Sequence, residues 1–149
     1  MLETPLRLNQ FVQPVCLPSM DTIVPTGTML MVSGFGTRKS GSEWLARKLQ
    51  YVEVPTLDLE TCNRLYGRTG NSEDMMCAGY LEGGKDACQS DSGGPLVQIS
   101  EGKTGHDQAV LIGIVTWGTG CGMPNYPGYY VNVTYIVPWI DDTRWDNWG

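Results

Sequence analysis

Asp86-Ala87-Cys88-Gln89-Ser90-Asp91-Ser92-Gly93-Gly94-Pro95 is the stretch on which the reading of this 149-residue chain turns. Gly93 and Gly94 tolerate backbone angles that other residues avoid, so a sharp, exposed turn can present the Ser92 hydroxyl. Asp86 and Asp91 stand within six positions of that hydroxyl, and Cys88 is placed to pin the segment to another part of the chain. Taken alone, the same letters also suit a Ser/Gly/Asp-rich surface loop ahead of a strand at Leu96-Val97. The remainder of the chain has to separate the two readings.

Composition narrows the field first. The length allows one domain, or part of one, and the many glycines with few charges indicate a loop-rich, β-rich globular protein. A net charge of −6 with no basic stripe argues against a nucleic-acid partner, and no apolar run is long enough for a transmembrane helix. Five cysteines with no CxxC pair and a single histidine lack the spacing of a zinc site, so no metal is expected. An odd count reads as two internal disulfides plus one cysteine whose partner is elsewhere, which places the protein in a secretory or extracellular compartment. The opening Met1-Leu2-Glu3-Thr4-Pro5-Leu6 has no signal-peptide character, so the natural beginning of the chain is expected to lie upstream.

Along the chain, Met1 to Pro25 reads as an extended connector, since four prolines exclude a stable helix. Strands are expected at Thr28–Ser33, Leu49–Val54 (stopped by Pro55), Met75–Ala78, Pro95–Ser100, Ala109–Trp117 and Tyr129–Val133. A helix capped by Asp58 should run to Tyr66, with Gly67 after it, and a short terminal helix is expected from Tyr135 to about Thr143. Six short strands and a C-terminal helix predict an all-β, antiparallel six-stranded barrel. A barrel of that size is filled by side chains, so its chemistry belongs on rim loops such as the one that holds Ser92.

Several blocks then occur in a telling order. They are Gln13-Pro14-Val15-Cys16-Leu17-Pro18, Cys77-Ala78-Gly79-Tyr80, Gly83 to Gln89, Asp91 to Val97, Gly113-Ile114-Val115-Thr116-Trp117-Gly118, Gly120-Cys121, Pro127-Gly128 and Trp139-Ile140. Together they resemble the C-terminal half of a trypsin-like serine protease (peptidase S1) of the chymotrypsin fold. The resemblance covers residues 1–144 as a partial protease domain and leaves 145–149 as a short tail. It implies a serine endopeptidase with Ser92 as nucleophile and the amides of Ser90 and Ser92 as oxyanion donors. Asp91 would pair with the N-terminal ammonium freed when a zymogen is cut.

The same resemblance puts Asp86 at the base of the primary specificity pocket, where a buried carboxylate calls for an Arg or Lys of a protein or peptide substrate. Gly118 and Gly128 would be pocket walls, with Ala87 and Gln89 as further lining. Ala87 replaces a hydroxyl common in the family, which favours Arg over Lys. Thr116, where serine is more usual, would with Trp117 and Gly118 offer backbone to an extended substrate strand. Pro127 argues against the sodium site of some relatives, and no cofactor is implied. Implied disulfides are Cys62–Cys77 and Cys88–Cys121, with Cys16 bonded to a propeptide or light chain outside this sequence. Leu30 and Gln98 stand together where a third pair would be. Protein inhibitors are further expected partners, and the exposed Arg38-Lys39 loop is a site for self-cleavage.

Two features depart from that pattern, and a sequon stands beside them. His106, the sole histidine, sits in a polar loop and matches no catalytic position, and the family's histidine and aspartate would both precede Met1. Ser90 replaces a glycine, and its Cβ is expected to strain the backbone or crowd the scissile carbonyl, lowering activity or narrowing the substrate range. Asn132-Val133-Thr134 is a glycosylation sequon inside an expected strand. The alternative is a catalytically inactive protease homologue that binds protein partners through a retained cleft. A histidine in a Thr-Ala-Ala-His-Cys-like setting and an aspartate in an Asp-Ile-Ala-Leu-like one, upstream of Met1, would separate the two.

Overall fold

The computed structural model describes residues 3–70, 72–101 and 107–146. Six strands, β1 (Met29–Gly34), β2 (Gln50–Leu57), β3 (Met75–Ala78), β4 (Pro95–Glu101), β5 (Asp107–Trp117) and β6 (Gly128–Asn132), close into a barrel. The order around the barrel is β1-β2-β3-β6-β5-β4, with every pairing antiparallel. Helix α1 (Leu59–Leu65) follows β2, and α2 (Val133–Asp146) follows β6. The all-β barrel with two helices is the architecture that strand count and turn spacing predict.

Leu30, Val32, Val54, Ala78, Leu96, Ile112, Val115 and Tyr130 fill the interior, at least one from each strand, with the β4–β5 register shift bringing both Ile112 and Val115 inward. Leu30 and Tyr130 are essentially sealed from solvent, so no channel remains and function is confined to the rim.

Most boundaries fall within one or two residues of expectation, and the largest departures are at β2 and α2. Pro55 does not end β2, which continues to Leu57. The neighbouring Thr56 amide donates to Thr28 on the β1 side, so Pro55 faces the β3 side, where pairing starts only at Thr56. Its missing N–H therefore costs no ladder bond, and its carbonyl still accepts from Gly79. Helix α2 starts at Val133 rather than Tyr135 and ends at Asp146, because buried Val133 and Val137 pull its first turns onto the barrel.

Helix α1 follows its sequence signals. The Asp58 carboxylate accepts from the Thr61 amide at 2.8 Å, an N-cap that holds the Asp58 carboxyl below its ordinary range. Cys62 on this helix is bonded to Cys77 of β3.

Candidate active site

The turn from Asp86 to Gly94 joins β3 to β4, and the loop from Gly118 to Pro127 joins β5 to β6. These two connections meet at one end of the barrel, clamped by the Cys88–Cys121 disulfide. Ser92 is exposed at the meeting point, and its hydroxyl donates to the Thr116 carbonyl at 3.3 Å. That carbonyl is available because the β5–β6 register shifts between Val115 and Trp117, a bulge that takes Thr116 out of the ladder. The Thr116 hydroxyl donates to the Tyr129 carbonyl at 2.7 Å and holds the bulge in place.

Ser90 adopts φ 71°, in the left-handed region that L side chains avoid and glycine enters freely. The sequence-based expectation of strain at Ser90 has a geometric basis here. Hydrogen bonds from Asp91 N to Cys88 O, Gly93 N to Val115 O and Gly94 N to Asp91 O lock the turn. Among the described residues the amides of Ser90 and Ser92 have no acceptor, so two donors remain free beside the Ser92 hydroxyl. Paired, unsatisfied backbone donors of this kind suit an oxyanion.

Below Ser92 opens a pocket of about 180 Å³, whose lining includes Asp86, Ala87, Trp117, Gly118, Gly128 and Tyr130. Asp86 accepts from the Gly122 amide at 2.9 Å, but burial dominates and pushes its carboxyl up to about 6. A Cβ at Gly128 would lie 3.0 Å from the Asp86 carboxylate and 3.1 Å from the Tyr130 ring, on the pocket floor. A Cβ at Gly118 would meet protein only at 3.8 Å, so its absence keeps open space for a ligand rather than relieving the fold. The buried Tyr130 hydroxyl has no hydrogen-bond partner among the described residues, and burial holds it protonated. A carboxylate beside an unpaired donor in a narrow slot suits an elongated cationic group with accompanying water.

Asp91 points away from this pocket. Its carboxylate accepts from the Gly36 amide at 2.8 Å and the Cys88 amide at 3.0 Å. Side chains at Gly34 or Gly36 would collide with that carboxylate, so both glycines are required for its seat. A second cavity, of about 340 Å³, opens beside it and is lined by Asp91, Val52, Lys85 and the Arg38-Lys39 loop.

Other expected residues are placed less directly. Gln89 lies at the pocket rim, but its amide oxygen accepts from the Thr37 hydroxyl at 3.1 Å and the Gly41 amide at 3.3 Å, which turns it toward the 37–41 loop. Cys16 is unbonded and sits beside β5, where its carbonyl accepts from the Leu111 amide. The Asn132 side-chain amide donates to the Glu73 carbonyl at 3.1 Å, so a glycan on that nitrogen would have to break this bond. His106 lies outside the described residues.

Sequence reasoning missed Tyr66, which it treated only as a helix end. The Tyr66 hydroxyl donates to the Pro127 carbonyl at 2.8 Å and accepts from the Thr119 amide at 3.2 Å, tying together both sides of the pocket loop. Its ring makes edge contacts with Trp117, Tyr126 and Tyr129, while Trp117 stacks on Tyr129 at 4.3 Å. No local pattern signals this cluster, because its members come from four separate stretches.

A closed six-stranded antiparallel barrel with a serine at the mouth of an acid-floored, glycine-walled pocket places the chain among trypsin-like serine proteases. The Trypsin family profile matches residues 1–140, and the chain belongs to that family. Over 143 residues it is 44% identical to Trypsin-1 of Salmo salar, an alignment that covers 95% of this chain and 53% of that relative. The chain therefore spans about half the length of the relative it matches.

Proposed function

We propose that residues 1–144 are the C-terminal half of a secreted serine endopeptidase that cuts protein substrates after Arg or Lys. The observation that carries this reading is the placement of an exposed Ser92 between two free backbone donors and a pocket floored by Asp86. Ser92 would attack the scissile carbonyl, the amides of Ser90 and Ser92 would receive the oxyanion, and Asp86 would pair with the basic side chain. An extended substrate would add along Thr116, Trp117 and Gly118. The general base would come from protein outside this chain, as the family resemblance implies; among the described residues the Ser92 hydroxyl meets only the Thr116 carbonyl, which cannot take its proton.

Asp91, seated on the Gly36 and Cys88 amides beside the 340 Å³ cavity, would receive the N-terminal ammonium of the activated protein. Cys16, unbonded here, would be bridged to a propeptide or light chain, and protein inhibitors would occupy the same cleft as substrate. The second reading, an inactive homologue that binds partners through this cleft, draws support from the left-handed Ser90.

Fluorophosphonate labelling of the complete protein tests the choice. The enzyme reading expects labelling at Ser92, cleavage after Arg or Lys in a peptide library, and loss of both in Ser92→Ala. The isolated chain should remain unlabelled. A complete protein that neither labels nor cleaves would establish the binding-module reading instead.

A further inference from the structure

Helix α1 ends at Leu65, and Gly67 at φ 62° turns the chain back on itself. The Arg68 amide then bonds the Asn63 carbonyl at 2.8 Å, which anchors the returning segment against the helix. As a result the exposed Arg68 side chain crosses the aromatic cluster, with its guanidinium 5.0 Å from the centre of the Trp117 ring and 5.8 Å from that of Tyr129. A guanidinium held over a ring has lost much of its freedom yet keeps its N–H edge available. Among the described residues Arg68 forms no salt bridge; nearby, Asp58 caps the helix and Asp74 takes the Ser72 hydroxyl. Arg68 is thus a positioned cation without a counter-charge, beside the edge along which substrate would lie.

We propose that Arg68 selects substrates with an acidic side chain at the third or fourth residue upstream of the cleaved bond, counting the cleaved Arg or Lys as the first. The inference rests on the endopeptidase reading for the direction and register of the bound peptide. The Thr116 carbonyl lies 3.3 Å from the Ser92 hydroxyl, so Thr116 marks the place of the first residue. Neighbouring residues of an extended strand are about 3.4 Å apart, so Gly118, two positions further, stands opposite the third. Trp117 and the Arg68 guanidinium flank that point. The preferred substrate would then carry charges of opposite sign at its two recognised ends: a cation for Asp86 and an anion for Arg68.

The experiment compares Asp-Asp-Ala-Arg and Lys-Lys-Ala-Arg p-nitroanilides as substrates of the complete protein. An exposed ion pair is worth up to about 1 kcal/mol, so the acidic peptide should lead by about fivefold in kcat/KM at low salt. The lead should shrink toward unity in 1 M salt, where the screening length is about 3 Å. Arg68→Ala should erase it, Arg68→Glu should reverse it, and Arg68→Lys should keep its sign. These changes should appear without loss of turnover on an Ala-Ala-Ala-Arg peptide, which has no charged side chain besides the cleaved Arg. The corresponding peptide amides are also titrated calorimetrically against the Ser92→Ala protein, with and without Arg68→Ala. If neither anilide is cleaved but the acidic amide binds more tightly through Arg68, the endopeptidase reading falls and the role of Arg68 stands. Equal kcat/KM for the two anilides, a preference unchanged in Arg68→Ala, or no Arg68-dependent difference in amide binding overturns it.

Discussion

On one side of Ser92 lies a pocket whose floor, walls and fastenings all come from this chain: Asp86, Gly118, Gly128, the Cys88–Cys121 bond and the Tyr66 hydroxyl. On the other lies a turn in which Ser90 holds φ 71° and two amides have no acceptor among the described residues. Among the described residues the Tyr130 hydroxyl has no partner, and the Asp86 carboxylate has the Gly122 amide but no cation. The turn keeps a strained serine in a position that suits glycine. The two regions are therefore fastened alike, the turn by long-range bonds such as Gly93 N to Val115 O and Gly36 N to the Asp91 carboxylate, and they differ in that the turn holds Ser90 in the left-handed region.

The largest expected effect lies on the pocket side. Gly128→Ala puts a methyl 3.0 Å from the Asp86 carboxylate and 3.1 Å from the Tyr130 ring, closer than ordinary contact. Overpacking of this kind costs about 1–3 kcal/mol of stability, and benzamidine binding should fall by about two orders of magnitude or more. Gly118→Ala, whose methyl would meet protein only at 3.8 Å, should leave stability within about 0.5 kcal/mol and weaken the ligand alone. Thermal melts with calorimetric titration separate the pair. Equal destabilisation by both would mean the two walls are not distinct.

A smaller effect follows from pH. The Asp86 carboxyl is raised from 3.8 to about 6, so the empty pocket holds its proton more tightly than the unfolded chain does. Stability from this group is therefore fully present below the unfolded value and lost as pH rises through about 6. A cationic ligand has the opposite dependence, since it needs the carboxylate. Benzamidine affinity should be about tenfold lower at pH 5 than at pH 7. A flat profile across that range would show that Asp86 is ionised throughout.

The turn side carries the smallest change. Ser90→Gly removes the left-handed strain and should stabilise the chain by up to about 1 kcal/mol, after allowance for the freedom glycine adds to the unfolded state. In the complete protein the same substitution should raise kcat/KM on an Arg substrate. Unchanged denaturation midpoints and unchanged kinetics would show that the serine is accommodated without cost.

Much of this was legible in the chain itself. Period-2 strands and turn glycines indicated the barrel from local letters, whereas the pocket roles of Asp86, Gly118 and Gly128 were implied by the family resemblance that the ordered blocks carry. Pro55 misled because its side of the strand, which decides whether a missing N–H matters, is set by the partner strands. Tyr66 and Arg68 were not marked because neither has a local signature; their roles exist only where distant segments meet.

Sequence alone determined that Ser92 would stand on a glycine turn and that an acid would sit six residues before it, and the family resemblance marked Ser90 as the letter out of place. Tertiary structure alone decided that the bulge at Thr116 turns a carbonyl to that serine and that Tyr66 ties the pocket loops. It also decided that the exposed Arg68 side chain lies over Trp117. The first group are properties of backbone permission and charge, which a short segment carries with it. The second are properties of register and approach, which arise only when the barrel closes.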